Sequence, residues 1–125
     1  MLNFFSAPGS TMSARDAHAA AKSGDIILID IRTPNEWAKT GVPEGAKAIS
    51  ASDPNFLARL NELTGGDQKK KIAVICATGG RSGQVSQALR QYGWENVIDV
   101  SEGVMGNMSA PGWARSGLPL APFNG

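Results

Sequence analysis

The run DIILIDI at residues 25–31 constrains the fold of this chain most, because it is β-branched and apolar with no polar alternation through its centre. Such a run suits a strand buried on both faces of a parallel sheet rather than a half-exposed edge strand. Parallel strands need crossover connections, and the rest of the chain supplies helical and strand patterns in alternation. KIAVIC at 71–76 and NVIDV at 96–100 read as further strands. VPEGAKAIS at 42–50 holds two turn residues and a brief apolar stretch ending at Ile49, which predicts a short strand. Another short strand is expected near Thr11.

Helix signals fall between these runs. Ser13 caps a predicted helix over 14–22, with Asp16 at its third position and Gly24 as the stop. Thr33, Pro34 and Glu36 form a capping-box start for a helix over 34–40 that ends at Gly41. Phe56, Leu57, Leu60 and Leu63 share a helical face, with Asp53 as the expected cap and Pro54 in the first turn. A helix over about 82–92 is expected after the second long strand, stopped by Gly93. The glycine- and proline-rich residues after Val100 predict a loop and a helical turn wrapping over the core. The expected architecture is α/β: a mostly parallel sheet of about five short strands with helices on both faces. Residues 1–10 read as a loose arm and 11–125 as a single domain.

Composition removes several classes of function. The formal net charge of +1 offers no field for nucleic acid or an anionic membrane surface, so neither partner is expected. The longest apolar run, IILI, is far too short to span a bilayer. MLNFF lacks the positive start and long apolar stretch of a secretory signal. One cysteine forms no intramolecular disulfide, which fits a reducing compartment and a cytoplasmic location.

That cysteine, Cys76, stands where an apolar strand ends and CATGGRS begins. A lone cysteine there is most often a small buried hydrophobe. Its neighbours favour function: glycines allow amides to point inward, the following helix start adds unpaired donors, and Arg81 supplies charge. Such surroundings favour a thiolate. Ligands of parallel α/β folds bind beyond the carboxyl ends of strands, and Asp30, Arg32, Cys76, Ser101 and Glu102 all lie at or just past such ends.

CATGGRS resembles the active-site loop of rhodanese-like sulfurtransferases: a cysteine, four residues, an arginine and a serine. IDIRTPNEW at 29–37 is similar to the family's aspartate-x-arginine strand end followed by a glutamate and an aromatic. GVPEGAKAIS resembles its glycine-x-proline-x-glycine-alanine segment, and VSEGVMGNMSAPGWARSGLPL its closing segment. The resemblance covers the chain from about residue 10 and implies a rhodanese-like layered fold. It implies that Cys76 takes a sulfane sulfur from a small donor, thiosulfate or a persulfide, and passes it to a thiol or cyanide-like acceptor, with a protein acceptor as a further option. No cofactor or metal is implied. The backbone of Ala77, Thr78, Gly79, Gly80, Arg81 and Ser82 would cradle the sulfur's charge. Arg81 would either contact an anionic donor or pair with a carboxylate and brace the loop. Ser82 reads as a helix cap, and Asp30 with Arg32 as a supporting pair that fixes the loop.

Two other readings compete. A phosphatase or arsenate reductase also uses a cysteine, inward amides and an arginine, but related phosphatases carry one residue more between the two, and a reductase of that kind uses a second thiol. A redox-sensing or sulfur-relay module with little turnover would use the same reactive sulfur. His18, the only histidine, falls in the first predicted helix and reads as a surface or packing residue rather than a base. Lys69, Lys70 and Lys71 read as a solvated patch, and Trp37, Trp94 and Trp113 as packing anchors. The uncharged Ala77–Gly80 stretch predicts weak affinity for dianionic thiosulfate.

Overall fold

Four short strands lie parallel in one sheet, in the spatial order Lys47–Ala48, Ile27–Asp30, Ile72–Ile75, Val97–Asp99. The structure is a computed structural model and describes residues 10–123; most of the expected N-terminal arm, residues 1–9, lies outside them. In chain order the elements begin with α1 (Ala14–Ser23), β1 (Ile27–Asp30), α2 (Pro34–Thr40), β2 (Val42–Pro43) and β3 (Lys47–Ala48). They continue with α3 (Phe56–Thr64), β4 (Ile72–Ile75), α4 (Gly80–Gln91), β5 (Val97–Asp99), α5 (Gly112–Arg115) and β6 (Leu120–Ala121).

Side-chain alternation along the central strands divides the core. Ile72, Val74 and Cys76 point to one face and pack with Phe56, Leu60, Leu89 and Trp94 from the α3 and α4 side. Ala73 and Ile75 point to the other and pack with Ala14, Ala17, Val104 and Trp113 from the α1 and α5 side. The period of two therefore decides where the sulfur goes: Cys76 is the next residue on the α4 face after Val74. The three tryptophans are buried packing anchors, as expected.

The helix starts follow their caps. Ser13 Oγ accepts from Asp16 N on α1, and Thr33 with Glu36 closes the full capping box on α2. α3 departs from expectation. Asp53 is no cap: its Oδ1 accepts from Asn55 N at 2.8 Å and its Oδ2 pairs with Arg59, so the helix begins at Phe56. Bonding the amide two residues on makes the aspartate a turn-former rather than a helix cap.

The strand near Thr11 is an isolated parallel bridge to Asp99, and the carbonyl of Ser10 accepts from Asp99 N at 3.0 Å. The brief strand before Ile49 is β3, paired with β1 at Ile29 and Asp30. A small second sheet was not expected: β2 pairs antiparallel with β6, joining Val42 to Ala121. Because β1 lies between β3 and β4, the chain reverses its direction of travel across the sheet there, and the carboxyl ends of β1 and β4 border a crevice where ligands of such folds bind.

Candidate functional site

The loop after β4 is tighter than its glycine pair suggests. Gly79 caps α4 with φ +107°, a left-handed conformation suited to glycine, and Gly80, Arg81 and Ser82 already belong to the helix. A β-carbon on Gly79 would run into the carbonyl oxygen of Ser101, so the close approach of two backbones also requires glycine. The first turn of α4 is thereby folded over the end of its own preceding strand.

That fold-back surrounds Sγ of Cys76 with donors. Gly79 N donates at 3.1 Å and Ser82 N at 3.3 Å, while Ser82 Oγ, at 3.5 Å, accepts from the thiol. Amides at a helix N-terminus carry partial positive charge and stabilise an anionic sulfur. Cys76 is only 1% exposed, so the sulfur sits at the floor of the cradle. Ser82 is not the helix cap it was read as: three positions into α4's sequence, its hydroxyl donates to Asp99 Oδ1 at 2.5 Å and lies 3.2 Å from Gly79 O.

Arg81 pairs with a carboxylate. Its Nη1 and Nη2 donate to Glu36 Oε1 and Oε2 at 2.7 and 2.9 Å, a two-pronged pair joining α4 to the start of α2. The Arg81 guanidinium holds the Glu36 carboxyl well down, from 4.5 to about 2, with Thr33 N–H helping. The carboxylate in turn raises Arg81. Glu36 thus serves the capping box and the clamp at once. The first role shows in the local sequence; the second joins residues 45 positions apart.

Asp30 and Arg32 form the other predicted pair, but it braces a different place. Arg32 Nη2 meets Asp30 Oδ2 at 2.8 Å with both side chains buried, and the guanidinium donates onward to Thr40 Oγ1 and Gly41 O. The pair fixes the turn from α2 into β2, and its hydrogen bonds do not reach Cys76. Glu102, also at a strand end, accepts from Ala14 N and Gly112 N, stitching α1 to the tail. Ser101 contributes its backbone: Asn107 Nδ2 bridges Ser101 O and Thr78 O. The segment after β5 is thus a second wall of the cradle, with Met105 N donating to Ala77 O.

The sequence profile of the rhodanese-like domain matches residues 13–109. The chain belongs to the rhodanese-like domain family. A sulfurtransferase of Allochromatium vinosum is 30% identical over 105 residues, covering 84% of this chain and 87% of its own. The solution structure of a polysulfide-sulfur transferase homodimer from Wolinella succinogenes superposes with a TM-score of 0.70 at 28% identity, over 95% of this chain and 82% of that one. A Rhodopseudomonas palustris protein described as a possible tyrosine phosphatase superposes at 0.66 with 25% identity, covering 90% and 84%.

In this rhodanese-like domain His18 packs edge-on against Trp113, 5.4 Å between ring centres, and its Nε2 lies 3.4 Å from Glu44. Of the surface and packing roles read from sequence, the ring contact with Trp113 fits packing. Among the described residues no cluster of His, Cys, Asp and Glu is arranged to hold a metal ion, and no helix is long and apolar enough to cross a membrane. Sequence reading missed two site residues. Asp99 sits second to last in its apolar run, where a buried carboxylate breaks the pattern; Asn107 gave no signal in a loop of small residues.

Proposed function

We propose that this rhodanese-like sulfurtransferase moves a sulfane sulfur through a persulfide on Cys76. The observation that carries the reading is the pair of donors on Sγ: the amides of Gly79 and Ser82 at 3.1 and 3.3 Å, both from the α4 fold-back. In the first half-reaction the Cys76 thiolate attacks the outer sulfur of a donor persulfide, R–S–S⁻. The new Cys76 S–S bond forms as the donor S–S bond breaks, releasing R–S⁻. In the second, an acceptor nucleophile attacks the outer sulfur and the Cys76 thiolate departs. No outside oxidant or reductant is consumed. The cradle amides hold the negative charge at each stage.

The donor class follows from Arg81. Ala77, Thr78, Gly79 and Gly80 bring no charge, and the guanidinium is committed to Glu36. A dianion such as thiosulfate would have to enter beside a neutralised arginine, so a small-molecule or protein persulfide is the better substrate. The name of the Wolinella relative, a polysulfide-sulfur transferase, supports a sulfur-chain donor. The acceptor is a thiol, on a small molecule or a protein, with cyanide as a laboratory substitute. A reducing compartment such as the cytoplasm would keep the single thiol usable.

Intact-mass measurement after brief incubation with a persulfide donor tests the reading. One added sulfur on the wild type and none on Cys76→Ser is expected. Unchanged wild-type mass with both persulfide and thiosulfate overturns it, and sulfenic acid forming readily under peroxide would then assign the sulfur to redox sensing. A thiosulfate KM in the low micromolar range would overturn the donor assignment alone.

A further inference from the structure

Behind Cys76 the polar contacts continue inward instead of ending at the cradle. Ser82 Oγ lies 3.5 Å from Sγ and 2.5 Å from Asp99 Oδ1, so one hydroxyl connects the sulfur to a carboxyl that is only 9% exposed. The sequence brings the three together through ordinary strand geometry. Asp99 pairs with Val74 on the neighbouring strand, two residues before Cys76, and α4 lays Ser82 across both strand ends.

A serine hydroxyl carries one proton, and its direction depends on its neighbours. If Asp99 is ionised, the Ser82 proton goes to the carboxylate and an oxygen lone pair faces the sulfur, where it accepts from a thiol S–H. If Asp99 is protonated, its O–H is given to Ser82 Oγ, and the hydroxyl proton is released to donate to a thiolate. The two arrangements contain the same atoms and differ by one proton moved from Cys76 to Asp99 through Ser82.

We propose that Asp99 is a positioning residue that takes up the Cys76 thiol proton through Ser82, so that the resting site shares one negative charge between Sγ and the buried carboxyl. The exchange balances: the S–H bond breaks as Ser82 Oγ gains that proton, and Ser82 gives its own to Asp99 Oδ1, leaving Cys76–S⁻ and Asp99–COOH. Burial pushes the Asp99 carboxyl up, against the Ser82 hydrogen bond and the charge of Arg90. Among the described residues, α4 sets against Asp99 the Ser82 hydroxyl, Gly83, whose β-carbon position lies 3.6 Å from Oδ2, and the charge of Arg90, which donates to Val97 O, while residues 10–12 pair with the Asp99 backbone. His18 is engaged at Trp113 and Glu44, and among the described residues Asp99 is the carboxyl that a hydrogen bond through Ser82 links to the sulfur.

The inference deepens the sulfur-transfer reading and rests on it for its purpose, but its test does not require transfer. Cys76 is the only cysteine, so the iodoacetamide alkylation rate of the whole protein reports that sulfur alone. Coupled groups titrate in two steps. The wild-type rate is expected to rise with pH in two steps separated by a plateau. Asp99→Asn, whose amide can still donate to Ser82 but takes up no proton, is expected to lose one step. Ser82→Ala is expected to lose the plateau and to react more slowly at neutral pH. Superimposable single-step curves for wild type and Asp99→Asn overturn the proposal, as does a change in amplitude with unchanged shape, the mark of a packing role. If the asparagine variant does not fold, infrared spectra of the wild type decide. Alkylation removes the sulfur's charge, and the protonated-carboxyl C=O band is expected to fall; a band absent throughout overturns the proposal. Failure here with sulfur still loaded on Cys76 would leave the transfer reading standing.

Discussion

Two arginine–carboxylate clamps stand at the carboxyl end of the sheet, alike in chemistry and opposite in setting. Arg32 and Asp30 are 1% and 0% exposed, with the guanidinium also bonded to Thr40 and Gly41. Arg81 and Glu36 are 41% and 31% exposed and tie the sulfur loop to α2. A buried pair must stay matched, since removing one partner strands the other charge away from water. A half-exposed pair sits in high dielectric and can open at small cost. The first clamp therefore belongs to the scaffold, and the second is a tie on the sulfur loop that a single substitution can weaken. Burial, more than bond length, separates their roles, because the shortest contact in each is close to 2.8 Å.

The largest effect expected from this contrast is on stability. Arg32→Met leaves Asp30 buried without its partner and should cost about 3–5 kcal/mol in urea unfolding. A loss below about 1 kcal/mol would show that the buried clamp is not structural. Glu36→Gln keeps Oε1 for the Thr33 capping bonds and for Arg81 Nη1, but removes the carboxylate charge and the second prong on Nη2. Stability should then change by about 1 kcal/mol or less. The thiosulfate KM should fall several-fold, because the guanidinium becomes available to a dianion; an unchanged KM would mean that Arg81 only braces the loop.

Smaller again is the salt effect. Raising ionic strength should shrink the stability difference between wild type and Glu36→Gln while leaving the Arg32→Met difference nearly constant, because screening acts on exposed charges. The pH dependence has a definite sign. The folded Glu36 carboxyl lies at about 2 against an ordinary 4.5, so the clamp's contribution is whole above 4.5 and fades as pH falls toward 2. Melting curves of wild type and Glu36→Gln should converge over that window. Convergence beginning near neutrality would contradict the assignment.

Much of this could be read before any coordinates. β1 and β4 were legible because burial on both faces leaves an unbroken apolar run, and Cys76 because such a run ends on it. Thr33–Glu36 was legible because a capping box is local. The Arg81–Glu36 clamp was not, since nothing in either segment names a partner 45 positions away. Ser82 was misread because two glycines suggested a longer loop, whereas the left-handed Gly79 starts the helix early. Asp53 followed by proline suggested a cap, but its carboxylate is occupied by Asn55 and Arg59. β2 and β6 have two residues each, too few to show any period.

That small second sheet has a consequence in time. Val42 waits for Ala121, so on a ribosome the turn that follows α2, and with it the frame behind Glu36, stays without its strand partner while about eighty further residues are made. The parallel sheet can assemble as soon as β5 emerges, leaving a nascent chain with one flank open. A substitution that weakens β6 is thus expected to lengthen exposure to proteases during synthesis more than it lowers the stability of the finished protein.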